Sequence, residues 1–308
     1  MGLLFFKKRN DGKIVKDEDS LIRITPFIMR GRNEAAIYFA RSYDVEAIQK
    51  FIQDKRAEGK RITLFNVIVA AMLQTIYRRP KINRFIAGRR LYEHNGISIL
   101  YAVKARMTDD ALESIAKVEL DPSDTIYDIA DRMKNNIDKI KDGKLKTDDK
   151  LIRFVVKLPR SFLQFALWIV RLMDFYGIMP KALMDAIPLY STMYISHLGS
   201  VGADAPFHHL YEFGTTSVFI TIGRVYEAPY KGKDNQVEWR QTVDLKFSID
   251  ERICDGFYLI KSLKVFDTFM QNPADLEHSP LFHKQEYEKL LTEIRQRKET
   301  REAGEQSG

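Results

Sequence analysis

The stretch "FSIDERICDGF", residues 247–257, decides the fold. Phe247, Ser248, Ile249 and Asp250 alternate apolar and polar, the pattern of a half-buried strand. Asp250, Glu251 and Arg252 then crowd three charges together. Two residues later come Asp255 and Gly256, and from Gly256 to about Asn272 the pattern is helical. Asp255 stands where a carboxylate caps a helix by accepting a backbone N–H. This is the layout of a catalytic strand-to-turn junction, but it lacks the imidazole that the usual base chemistry would use. Glu251 occupies the centre of it.

Three strand candidates lead up to this junction: "STMYISHL" from 191, "TSVFITIGRVY" from 216 and "VEWRQTVDLKFSI" from 237. Farther back, "AAIYFARSYDV" (35–45) and "GISILYAV" (96–103) have strand composition. Helices are expected from a cap at Asp44 to about Ala57, with Gly59 beyond the end, and from Thr63 through "TLFNVIVAAMLQTIYRRP" to Pro80. The second is apolar on most sides and should be buried. Ile126, Ile129, Met133, Ile137 and Ile140 fall at spacings of three and four, a core-facing stripe on a helix between Ser123 and Gly143. Residues 151–187 read as one or two helices, with Pro159 suited to a first turn. Helices early and strands late, with crossovers between them, indicate an α/β sandwich: a mixed sheet covered by helices.

The chain has 308 residues, 45% apolar and 30% charged, enough for a sizeable core. Its formal charge is +7. No Lys/Arg stripe carries interleaved aromatics, so nucleic acid is not an expected partner. The single cysteine, Cys254, excludes an internal disulfide and metal sites built on Cys pairs, and fits a reducing, cytoplasmic setting. No metal is expected. The start "MGLLFFKKRNDGK" has no cleavage region, and Phe6 replaces the Ser or Thr of a myristoylation motif. The most apolar segment, "FLQFALWIVRLMDFYGIM", is broken by Arg171 and Asp174 and falls short of the roughly 20 apolar residues of a membrane span. The expected organisation is a flexible arm over 1–20, a catalytic domain over 21–280, and a C-terminal helix with a disordered tail over 281–308.

Several stretches, in order, resemble the catalytic domain of 2-oxo acid dehydrogenase acyltransferases (the E2 component), related to chloramphenicol acetyltransferase. "ITLFNVIVAAMLQTIYRRPKINRFIAGRRLYEHNGISILYAV" resembles that family's helix, turn, hairpin and strand. "MYISHLGSVGADAPFHHLYEFGTTSVFITIGRV" resembles its "I-S-x-L-G" segment and the strand that follows. "DERICDGF" resembles its signature "D-H-R-x-x-D-G". The resemblance covers roughly residues 20–275 and implies a chloramphenicol acetyltransferase-like two-layer sandwich. It implies acyl transfer involving coenzyme A or dihydrolipoamide, in trimers or multiples of three whose sites lie between two chains. Ser196 then matches a hydroxyl that steadies the oxyanion, and Thr221 a CoA-proximal position. Asp255 matches a buried carboxylate paired with an arginine, with Arg30 and Arg32 as candidate partners. Arg252 sits within the signature as a substrate-side cation. The short stretch before residue 20 leaves no room for a lipoyl domain, so any lipoylated acceptor would come on another chain.

Glu251 departs from the family, standing where it has histidine. A free carboxylate at about 4.3 facing a thiol at about 8.5 makes proton transfer uphill by roughly 5–6 kcal/mol. Burial that raised the carboxylate to about 6 or 7 would cut this to roughly 2–3 kcal/mol. Among the six histidines, His197 follows Ser196 on a strand and should point to the opposite face. His208 and His209, in "HHLYEFG", read as a loop before a strand. Cys254 reads as a small buried apolar residue rather than a nucleophile. Three functions follow. The first is a stand-alone acyltransferase using an acyl-CoA, with Glu251, Ser196 and Asp255 as catalytic positions and Thr221 and Arg252 as binding positions. The second is a pseudoenzyme that keeps the fold as a binding or assembly subunit. The third is a membrane-interface protein acting through residues 159–179, decided by whether that helix buries its apolar face.

Overall fold

A computed structural model describes residues 9–104, 113–141 and 157–286. Its centre is a six-stranded mixed sheet. In spatial order the strands are β2 (Ala36–Asp44), β9 (Val237–Asp250), β8 (Val218–Lys231), β7 (Met193–His197), β5 (Ile97–Lys104) and β6 (Glu113–Leu120). β7 runs parallel to both β5 and β8, and the other pairings are antiparallel. A smaller sheet joins β1 (Gly12–Ile14), β4 (Arg90–His94) and β3 (Arg84–Ala87). The mixed sheet with its helical layer is the expected α/β architecture.

Alternation along the strands divides the sheet into two faces. Met193 and Ile195, Val218 and Ile220, and Phe247 and Ile249 point into the main core. Helices cover this face. The innermost is α3 (Leu64–Arg78), buried along nearly its whole length from Asn66 to Ile76. It is set by a capping box: the Asn66 N–H donates to the Thr63 hydroxyl, and the Thr63 N–H donates to the Asn66 side chain at 3.0 Å. α2 (Glu46–Ala57), α4 (Ile126–Lys141) and α7 (Gly256–Gln271) pack around it. The stripe from Ile126 to Met133 is buried as its spacing requires, with Ile137 and Ile140 at its edge. The cap of α2 is Val45 rather than Asp44, although Asp44 still accepts from the Glu46 N–H at 2.9 Å.

The other face is narrower. Leu100, Tyr194 and Phe219 pack there against Leu210, which comes from the long connection between β7 and β8. That connection crosses from one parallel strand to the next with only a 3-10 turn at Leu198–Val201 and no α-helix, and it folds back on the sheet. Two glycines of the recognised motifs make its start possible. A Cβ on Gly199 would lie 2.2 Å from the Gly223 carbonyl oxygen, and one on Gly223 would lie 2.8 Å from the Ala205 nitrogen. Backbone meets backbone at both positions, so neither tolerates a side chain.

Residues 9–20, expected as a loose arm, are pinned instead. β1 pairs with β4, the buried Arg9 guanidinium binds Asp11 and Asp174, and Glu18 binds Lys81 and Arg84. A helix, α1 (Ser20–Ile28), follows. Residues 157–187 form two helices, α5 (Arg160–Tyr176) and α6 (Lys181–Asp185), with Pro159 at the cap of α5. The chain is helical again over residues 280–286, and the expected tail beyond them lies outside the described residues.

Candidate active site

The end of β9 is held by a buried charge cluster. Asp250 is fully buried and Arg252 is 2% exposed. The Arg252 guanidinium donates to both Asp250 oxygens, at 2.8 and 2.7 Å, a two-point ion pair that is strong when desolvated. Its remaining nitrogen donates to the Met29 and Arg30 carbonyls. Arg32 approaches Asp250 from the other side at 4.0 Å. Burial pushes the Arg32 guanidinium down from its ordinary range, and Asp250 opposes that shift. Arg32 also donates to the Tyr211 and Glu212 carbonyls. The Glu212 carboxylate accepts the backbone N–H groups of Arg32 and Asn33. Burial alone would raise the Glu212 carboxyl, but these hydrogen bonds hold it below the usual range.

Two site expectations change as a result. Arg252, expected on the substrate side, spends its donors inside the protein. The buried carboxylate that pairs with arginines is Asp250, not Asp255. Arg32, considered as a partner for Asp255, belongs to Asp250. Asp255 is exposed and caps α7, accepting the Tyr258 N–H at 2.8 Å. No ion pair to Asp255 occurs among the described residues. The cluster was hard to read from sequence because its acid and its arginine lie only two positions apart, where a turn has to bring them together.

The cluster leaves Glu251 turned outward. Its backbone N–H donates to the Ala35 carbonyl at 3.0 Å, fixing the turn, while its side chain is exposed. Cys254 is 3% exposed, and burial pushes its thiol up to about 12, so it is a packing residue.

Ser196 and Thr221 are direct neighbours on β7 and β8. Alternation puts them on the loop-covered face with Tyr194 and Phe219. Ser196 is half-buried, and its hydroxyl makes no hydrogen bond among the described residues. Thr221 is 1% exposed and its hydroxyl donates to the Pro206 carbonyl, tying the crossover loop to the sheet. His197 points the other way, as expected, stacking on Phe65 at 5.8 Å. Burial lowers its pKa.

His208 lies closer to this face than its loop position implied. Its ring stacks on Phe219 at 3.9 Å with the planes 7° apart. Its Nδ1 is 2.7 Å from the His209 carbonyl oxygen. A carbonyl only accepts, so Nδ1 carries the proton and Nε2 keeps its lone pair. Burial lowers the pKa of His208, which favours the neutral ring. No spacing in the sequence signals this, because the hydrogen bond from Thr221 to the Pro206 carbonyl is what ties the loop to the sheet.

Ser196 and Glu251 do not meet within one chain. Thr221 lies opposite Lys246 on β9, and Glu251 is five positions farther on. At about 3.3 Å per residue that is a separation on the order of 16 Å along the strand alone.

Residues 190–277, containing all five positions, match the model of the 2-oxoacid dehydrogenases acyltransferase family (catalytic domain). The chain resembles that domain in sequence across this segment and in fold over about 85% of its length. A probable dihydrolipoamide acetyltransferase from Listeria monocytogenes is 17% identical, with 84% of this chain and 94% of that one covered and a TM-score of 0.55. The cubic core of a pyruvate dehydrogenase multienzyme complex is 14% identical, with coverages of 86% and 94% and a TM-score of 0.56. The Azotobacter vinelandii dihydrolipoamide acetyltransferase is 15% identical, with coverages of 85% and 94% and a TM-score of 0.56. Its structure was studied for the roles of a serine, a histidine and an asparagine in its mechanism. No curated protein sequence matches this chain. Within this acyltransferase fold the described residues hold no cluster of His, Cys, Asp and Glu suited to a metal.

Proposed function

We propose that the protein is an acyltransferase that moves an acyl group between a CoA-type thioester and an acceptor. We place its site between protomers of an assembly built in threes. The observation that carries this is the hydroxyl of Ser196, half-buried beside Thr221 and without a hydrogen bond among the described residues. A hydroxyl so placed can donate to the oxygen of a tetrahedral intermediate, where charge develops in acyl transfer. Glu251 of a neighbouring protomer would supply the base, since the two positions are too far apart within one chain. The multienzyme core among the related structures is consistent with such an assembly.

A second base is favoured by its own observation. His208 carries an imidazole with Nε2 unprotonated, stacked on the same sheet face as Ser196. Against a thiol near 8.5, a free imidazole is a better acceptor than a free carboxylate by roughly two pKa steps, or about 3 kcal/mol, an advantage that the burial of His208 reduces. Glu251 would be the more ordinary base toward an amine or hydroxyl acceptor.

The test is transfer and hydrolysis of a series of acyl-CoAs by the purified protein. Ser196→Ala should lower kcat by about 10²–10³ with acyl-CoA binding retained. Glu251→Gln and His208→Gln then identify the base, the true one costing about 10²–10⁴. If acyl-CoA binds but none of the three changes affects turnover, the catalytic assignment is wrong. If acyl-CoA does not bind at all, the protein is instead an assembly or binding subunit of the same fold.

A further inference from the structure

We propose that the outer face of α5, continued by α1, is a docking surface for an anionic lipid bilayer. α5 is amphipathic, yet not one of its residues is buried. Leu163, Ala166, Val170 and Met173 face inward, Val170 and Met173 packing at the edge of the small cluster around Met179, Met184 and Tyr190. On the outward side, Phe162, Phe165, Trp168, Leu172 and Phe175 recur at spacings of three and four and are 40–56% exposed. Phe165 and Trp168 stack on each other at 6.0 Å.

The patch extends beyond one helix. The turn between β3 and β4 touches both α5 and α1: a Cβ on Gly88 would lie 2.1 Å from the Phe175 carbonyl oxygen, and Arg89 lies over the Phe27 ring at 5.8 Å. On α1, Leu21, Ile24 and Ile28 are 49–69% exposed on one side. Among the described residues, no helix is long and apolar enough to cross a membrane.

Charge decides the occupant. Lys157 just before α5, Arg160 and Arg171 along it, and Arg23 on α1 are exposed, and none makes an ion pair among the described residues. Of the acids nearby, Asp174 is bound by Arg9 and Asp185 by Lys181, Asp19 caps α1 by accepting the Leu21 N–H, and Asp17 is exposed. An aromatic and aliphatic face flanked by unpaired cations is the pattern of a helix lying in the headgroup region of an anionic bilayer.

The test uses the full chain with vesicles of phosphatidylcholine, alone or mixed with phosphatidylglycerol. The protein should float with the mixed vesicles and not with the neutral ones, and added salt should release it. In a Trp239→Phe background, Trp168 fluorescence should shift to the blue on binding. Phe165→Ser with Trp168→Ser should weaken vesicle binding by on the order of tenfold or more, with the melting temperature retained. Arg160→Glu with Arg171→Glu should remove the preference for anionic vesicles. No flotation with the mixed vesicles overturns the proposal. So does an unchanged affinity in the serine variant. A serine variant whose only effect is to shrink the assembly in lipid-free buffer overturns it too, making the face a protein–protein interface.

Discussion

α3 and α5 are two helices of similar length and apolar character with opposite fates. α3 is buried from Asn66 to Ile76, while α5 buries no residue. Hydrophobicity alone did not decide this. α3 lies against the sheet with α4 and α7 on its flanks, so every side of it meets another apolar surface. α5 stands outside both layers, meeting only the edge of a small cluster, the turn between β3 and β4 at Phe175, and Arg9 through Asp174. An apolar helix is therefore a core helix only where the architecture surrounds it. Where it does not, the same residues make a surface that can take part in binding.

The contrast predicts unequal costs for one exchange. Leu73→Asp in α3 should abolish cooperative folding, because a carboxylate would be buried without a partner. Leu172→Asp in α5 should leave the melting temperature nearly unchanged. Thermal unfolding of the two variants checks this, and an equal loss in both would break the comparison. Next in size is Asp250→Ala, which leaves Arg252 buried and uncompensated and should cost about 3–5 kcal/mol in denaturant unfolding. Asp255→Ala, at an exposed cap, should cost only about 1 kcal/mol.

A titratable group sharpens the comparison from the buried side. His94 packs on Phe85 at 4.3 Å, and burial lowers its pKa from 6.5 to about 4. The unfolded chain therefore binds this proton more readily than the folded one. His94 contributes fully to stability above about pH 6.5, and that contribution is lost as the pH falls toward 4, by about 3 kcal/mol. The stability profile of His94→Phe should be flatter over that window than that of the parent. The smallest effect is expected for Leu172→Ala, within about 0.5 kcal/mol of the parent, against about 2–5 kcal/mol for Leu73→Ala.

Much of the fold was legible in the residues. The alternation of β7, β8 and β9 and the stripe of α4 gave away the elements and their buried faces, because burying one face requires a fixed period. Ser196 and Thr221 each fell on a strand candidate, but only the sheet register made them neighbours. The anchoring of residues 9–20 was not legible. It rests on ion pairs such as Arg9 with Asp174, between groups 165 positions apart.

The sequence by itself determined the strands β2, β5, β7, β8 and β9, the helices α2, α3, α4 and α7, and the capping chemistry at Asp255. These depend on local backbone preferences and hydrogen bonds within a few residues. Only the tertiary structure decided that Asp250 rather than Asp255 is the arginine-bound carboxylate. It also decided that Arg252 is structural, that Ser196 and Glu251 lie far apart within one chain, and that α5 faces outward. A charge takes whichever partner the fold brings near, and an apolar face is buried only if another surface arrives to cover it. Neither condition is written in the spacing of residues along the chain.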